Sequence, residues 1–264
     1  MPTSYPNPDG QPDKTFLKWP ANNPIVSTEY IQARRALLEK EYALMDQIER
    51  VAAERRALPA GPIMPPYTFL DVRDLTSNAS EPTKTTLIDL TKGDGKKTTL
   101  IVYHMMMEPD AKTACASCSM FIDGLNGVAK HLAQKVNVAV IAKAPPSSIR
   151  EYAQKRGWKD LRFLSSSKNE FNKDINMEDV EWLGWKGQQP GMSVFKYEEG
   201  EDGKGQVRFY YQTTPHFANS SGNDVIRGMD LLTPLWNLLD ITPEGRGDWD
   251  CGLDYVEKWD SVKF

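Results

Sequence analysis

The chain is poor in the residues that declare many functions outright. Its 264 residues include only three cysteines and three histidines. Three cysteines are too few for a secreted disulfide framework, so a close pair points to redox or metal chemistry instead. Charge of one sign is lacking too: 36 Asp and Glu face 32 Lys and Arg, with no basic block. Neither nucleic acid nor an anionic membrane is therefore expected as a partner. No apolar run approaches about 18 residues, which argues against a transmembrane helix. The opening Met1-Pro-Thr-Ser-Tyr-Pro has neither the charged nor the apolar region of a signal peptide. A reducing, cytoplasmic location is the expectation. Internal repeats and low-complexity tracts are absent as well.

What is present is a sizeable apolar fraction, 40% of residues, enough for one large domain or two small ones. The sharpest local signal is Ile101-Val-Tyr-His104-Met-Met-Met107, a loop, then Cys115-Ala-Ser-Cys118 leading into Met120-Phe-Ile-Asp-Gly-Leu. The first run is apolar and strand-like, and the residues after the cysteines have helical spacing. Two thiols at i and i+3, where a strand hands over to a helix, make a dithiol suited to thiol–disulfide exchange. Two cysteines filling core space are the bland alternative.

Around that stretch the chain orders itself. Residues 1–26 read as an extended arm. A long helix is expected over 27–58, with Ser27 or Thr28 as cap and Glu29 in its first turn. Its Tyr30, Ala33, Leu37, Leu44, Ile48 and Val51 form one apolar stripe that packs on its own domain or forms a homodimer contact. Pro59, Pro62, Pro65 and Pro66 mark a connector. The stretches 67–72 and 85–90 read as strands, 98–106 as a central strand and 136–142 as a second buried strand. Between those last two, Phe121, Ile122, Leu125, Val128, Ala129 and Leu132 sit at helical spacing. Ser147 can cap a helix to Arg156, and Phe163-Leu-Ser-Ser reads as a short strand. Residues 190–197 and 206–212 flank a Gly- and Asp-rich turn and so form an antiparallel hairpin. A last helical stretch is expected from Asp224 to about Leu239, with Ile226, Met229, Leu232, Trp236 and Leu239 buried and Pro234 kinking or splitting it. The domain reading is an arm and helix over 1–58, a main domain over 59–247 and a tail over 248–264.

Strand, dithiol helix, strand, helix, a hairpin entered through a proline, then a last helix: this order resembles the thioredoxin fold. The likeness extends to Cys115-x-x-Cys118-Ser119, Asp123-Gly, Ala144-Pro145, Gly157-Trp158, Phe171-Asn172, Pro190-Gly-x-Ser193-Val-Phe, Arg227-Gly-x-Asp230-Leu-Leu and Asn237-Leu-Leu-Asp240-x-Thr-Pro243-x-Gly-Arg246. Together these resemble the thioredoxin-like family known as domain of unknown function 899. The expected fold class is α/β and thioredoxin-like, a central mixed sheet flanked by helices, with a long N-terminal helix and insertions. Peroxiredoxins are a more distant likeness, since the Thr they usually carry three residues before the attacking Cys is Lys112 here.

In that resemblance Cys115 lies at the helix N-terminus, where unpaired N–H groups and the dipole favour a thiolate, and attacks. Cys118, one turn on, resolves. His104, near the end of the central strand, either shuttles a proton to the leaving thiolate or hydrogen-bonds within the core. Pro190 stands where thioredoxin-like proteins carry a cis-proline that lets nearby backbone pair with substrate; an ordinary Pro-Gly turn is its rival. Arg227 is a candidate for binding a carboxylate or stabilising a thiolate, with a surface salt bridge as the alternative. Trp158, Trp182 and Trp185 line a cleft or fill the core. His131 reads as a surface or packing residue, and His216 lies in a loop.

No cofactor is implied. Structural zinc needs four ligands; Cys251 and the histidines are the other soft donors, and His131 is about 20 Å along the helix from Cys118. Metal is not expected. The first functional expectation is a thiol–disulfide oxidoreductase acting on a small-molecule or protein substrate. The alternatives are a peroxide-reducing enzyme using the same dithiol and a thioredoxin-like scaffold for ligand binding or non-redox chemistry.

Overall fold

The computed structural model describes residues 25–72, 82–93, 95–181, 184, 186–200, 203–215, 217–218, 224–225, 228–247 and 251–253. The arm up to residue 24, Trp182, Trp185, His216, Ile226, Arg227 and the tail from residue 254 lie outside the described residues. The chain divides into two units after Pro59.

The first unit contains α1 (Thr28–Arg56). The Ser27 hydroxyl accepts from the Tyr30 N–H at 3.1 Å, and Glu29 at the start with Arg55 and Arg56 at the end complement the helix dipole. Tyr30, Leu37, Leu44, Met45 and Ile48, all in or beside the apolar stripe, are exposed.

The second unit is built on a seven-stranded mixed sheet. Its strands are β1 (Thr68–Asp71), β2 (Thr83–Thr86), β3 (Thr99–His104), β4 (Asn137–Ala142), β5 (Arg162–Ser165), β6 (Gly191–Glu199) and β7 (Gly205–Thr213), in the order β2-β1-β5-β4-β3-β6-β7. β3, β4 and β5 are parallel to one another, whereas β6 pairs antiparallel with β3 and β7 antiparallel with β6. The parallel crossovers run through α3 (Ala116–Leu132) and α4 (Pro146–Arg156), with the shorter α2 (Leu87–Lys92) and α5 (Phe171–Asp174) elsewhere in the chain. This is a thioredoxin-like fold, with the dithiol helix following the central strand.

Alternation along the strands divides the core in two. Tyr103, Val140, Ala142 and Phe163 face one layer with Phe121, Ile122 and Leu125 of α3 and Ile149 and Tyr152 of α4. Leu100, Val102, Ala139, Ile141 and Leu164 face the other, with Leu87 and Leu90 of α2 and Phe171 of α5. Burying a large apolar side chain stabilises by about 1.5–3 kcal/mol, so the two layers together fix the sheet. A charged group crosses this scheme: Asp71, buried at the end of β1, is 2.5 Å from Arg162 on the neighbouring strand.

Several sequence expectations change. Residues 87–90 are helical rather than a strand, because Thr86 and Asp89 form a reciprocal capping box whose side chains satisfy each other's backbone N–H groups. Pro146 starts α4 in place of the expected Ser147 cap, since its missing N–H costs nothing at the first helical position. No long helix begins at Asp224. Asp224–Val225 is β9, paired with β8 (Phe217–Ala218), and among the described residues of this stretch the first helical structure is a 3-10 turn, Asp230–Leu232. Pro234 then opens α6 (Pro234–Leu239), so the proline splits the stretch as expected. Met229 is buried, but Leu232 is exposed and α6 buries no residue. Arg246 holds this region together: Nη2 lies 2.6 Å from both Asp230 Oδ2 and Asp240 Oδ2, and the guanidinium lies over Trp236.

Candidate active site

Cys115 is the N-cap of α3, with extended backbone angles and no side chain capping the helix. The Cys115 N–H donates to Met106 O at 3.0 Å, tying the helix start to the loop that leaves β3. Ser119 anchors the first turn: its N–H and hydroxyl both donate to Cys115 O at 2.9 Å, and its Oγ is 2.8 Å from the Tyr152 hydroxyl on α4. That first turn has no acidic side chain, so its positive end remains available to a thiolate. The loop before it is pinned as well. Gln188 Oε1 accepts from the N–H groups of Met107 and Lys143, and Glu108 Oε1 accepts from the Gln188 N–H.

The two thiols differ in surroundings. Cys115 is half-buried, whereas Cys118 is 1% exposed within the α3 layer. The hydrogen bond from the Cys118 side chain is the largest influence on Cys115. Aided by the N–H groups of Cys118 and Ser117 and by the Ser117 hydroxyl, and opposed by burial, it lowers the Cys115 thiol to about 6. Cys118 moves the other way: its bond to Cys115, its burial and the Cys115 charge all raise it. The Tyr103 hydroxyl and the Met106 N–H, both bonded to the Cys118 sulfur, oppose that rise. Tyr103 is itself fully buried, stacked on Phe121 at 4.7 Å, and its ionisation is pushed well up by burial first and by the Cys118 charge next. The two thiols, one helical turn apart, are therefore shifted in opposite directions.

The remaining sequence candidates that the structure describes, His104, Pro190 and Trp158, bond to groups other than the two thiols. His104 follows Tyr103 in β3 and so faces the other layer. Its Nε2 is 2.8 Å from Ser193 Oγ, which accepts from Gln212 Nε2, and its ring stacks on Phe171. Burial pushes its pKa down to about 3, so it is neutral. Pro190 leads into β6 beside the end of β3, buried, with its carbonyl accepting from Thr214 Oγ1 at 3.1 Å. Among the described residues no peptide bond is cis, so Pro190 follows a trans bond, in contrast to the cis-proline the resemblance implied. Trp158, 2% exposed, is a core residue and not a cleft wall: it stacks on Phe163 and donates from Nε1 to Asp123 Oδ1 at 2.7 Å. Arg227 lies outside the described residues.

Tyr103 was the group missing from the sequence-level candidates. The two-residue period of a strand separates it from His104, but nothing in an all-apolar run says which face the helix covers. Among the described residues no group of three or more His, Cys, Asp or Glu is placed to hold a metal ion. Nor is any helix among them long and apolar enough to cross a membrane.

Among solved structures, the Plasmodium falciparum antioxidant protein, a 1-Cys peroxiredoxin, is similar at 11% identity and TM-score 0.43, over 60% of this chain and 84% of that one. A Xylella fastidiosa PrxQ variant is similar at 14% identity and TM-score 0.40, over 67% and 95%. Mycobacterium tuberculosis AhpC is similar at 10% identity and TM-score 0.41, over 67% and 98%. No curated protein matches the chain. The model of the family described as "Bacterial protein of unknown function (DUF899)" matches residues 20–262, and the chain belongs to that family.

Proposed function

We propose that the protein is a thiol–disulfide oxidoreductase in which Cys115 attacks and Cys118 resolves. The observation that carries this reading is the placement of the pair: half-buried Cys115 stands as the N-cap of α3, at the positive end of the helix, and buried Cys118 lies one turn on, an arrangement that lowers the first thiol and raises the second. The Cys115 thiolate attacks one sulfur of a substrate disulfide, and the other leaves as a thiolate that takes a proton from solvent. A mixed disulfide now occupies Cys115. Cys118 then loses its proton and attacks Cys115 Sγ, expelling the second substrate thiolate. The substrate gains two electrons and the protein keeps a Cys115–Cys118 disulfide. Tyr103 O–H and the Met106 N–H support this second step by stabilising charge on Cys118 as it forms. An external thiol reverses the sequence and regenerates the dithiol, which suits a reducing compartment such as the cytoplasm.

His104 does not enter this mechanism. The experiment is to treat reduced protein with oxidised glutathione and count thiols. Wild type is expected to lose two thiols per chain and yield a Cys115–Cys118 linked peptide. Should the two thiols persist, or should Cys115→Ser lose them equally well, the reading fails.

A further inference from the structure

The dithiol has a third thiol beside it. Cys251 is 5% exposed, and its Sγ donates to Ser117 Oγ across 3.6 Å. Ser117 stands between Cys115 and Cys118 in the sequence, in the first turn of α3. A residue inside the Cys-x-x-Cys motif thus meets a sulfur carried by a distant part of the chain. The segment around Cys251 is held from its other side as well. Arg156 Nη1 donates to Leu253 O at 2.6 Å while its Nη2 pairs with Asp123 of α3, and Leu253 packs against the same apolar layer as α3. A cysteine that only fills space packs among carbon atoms. This one donates to a hydroxyl inside the Cys-x-x-Cys motif, two residues from a carbonyl held by Arg156 of α4.

We propose that Cys251 is a third redox thiol of this site, resolving adducts on Cys115 in competition with Cys118. The proposal rests on the dithiol reading above. With an adduct Cys115–S–S–R in place, Cys251 loses its proton to water, attacks Cys115 Sγ and expels RS⁻. The Cys115–Cys251 disulfide forms, the bond between Cys115 Sγ and the sulfur of R–S breaks, and that sulfur leaves with the electron pair as RS⁻. When the Cys115–Cys118 disulfide is already present, the same attack expels the Cys118 thiolate instead, an exchange with no net oxidation.

The test uses full-length reduced protein and one equivalent of dithiobis(nitrobenzoate), whose release of the coloured thiolate is read by absorbance. Attack by Cys115 releases one equivalent, and resolution by a second protein thiol releases another. Wild type is expected to release two. Cys118→Ser is also expected to release two, the second at a rate independent of protein concentration, and peptide mapping finds Cys115 linked to Cys251. Adding Cys251→Ser to that variant is expected to stop release at one. A Cys118→Ser protein that releases only one equivalent, or whose second release scales with protein concentration, overturns the proposal while a two-equivalent wild type leaves the dithiol reading standing. A wild type that releases none overturns both. Cys118→Ala supplies the same readout if the serine variant does not fold.

Discussion

Tyr103 and His104 are neighbours in β3 whose side chains serve opposite layers: Tyr103 stacks on Phe121 at 4.7 Å in the layer that holds Cys118, and His104 Nε2 lies 2.8 Å from Ser193 Oγ. In the proposed mechanism the pair divides catalysis from architecture across one peptide bond.

Replacing Tyr103 tests the catalytic side. A hydrogen bond to a charged group contributes about 1.5–3 kcal/mol, so Tyr103→Phe is expected to slow resolution by Cys118 about 10- to 100-fold. Attack by Cys115 should change little. Stopped-flow release of a chromophoric thiol separates the two phases; equal slowing of both would contradict this assignment.

His104 predicts a pH dependence of stability. Its folded value near 3 lies below the ordinary 6.5, so the unfolded chain binds a proton that the folded chain refuses between those limits. Stability from this group is complete above about pH 6.5 and declines by up to about 1.4 kcal/mol per unit as pH falls toward 3. Urea midpoints for wild type and His104→Gln should converge on acidification, and Cys115 reactivity in the variant should remain within about twofold of wild type.

Trp158 should behave as a core residue. Trp158→Ala is expected to cost about 3–5 kcal/mol of stability, because stacking on Phe163 and the bond to Asp123 are lost along with the buried volume. At temperatures where the variant is folded, its affinity for disulfide substrates should match wild type. A large rise in KM without loss of stability would return Trp158 to a binding role.

The dithiol's reduction potential should bend with pH. Below about pH 6 both thiols hold protons, so oxidation releases two and the potential falls by about 59 mV per unit. Above that point Cys115 is already a thiolate, one proton is released, and the slope halves to about 30 mV per unit. Equilibration with glutathione buffers across pH 5 to 8 would show the bend or its absence.

Part of this was readable from residue order. The apolar run ending at Met107, the i,i+3 thiols and the helical spacing of Phe121, Ile122 and Leu125 suffice for a strand leading into a dithiol helix. Faces were harder. β3 is buried on both sides, so its sequence carries no polar alternation to mark the side that α3 covers. Local competition misled elsewhere: Thr85-Thr-Leu-Ile resembles a strand, yet the Thr86–Asp89 capping box turns residues 87–92 into a helix. Asp224 has the chemistry of a helix cap and lies instead in β9. Cys251 reaches Ser117 only through tertiary packing, and contacts at that sequence distance leave no periodic trace.

The central claim is an acidic nucleophile on Cys115. Thiolate absorbance of the reduced protein, titrated from pH 4 to 10, tests it most directly. One thiolate should form with a midpoint near 6 and vanish in Cys115→Ser, while Cys118 stays protonated well above that point. A single rise centred near 9, unchanged by that substitution, would contradict the account.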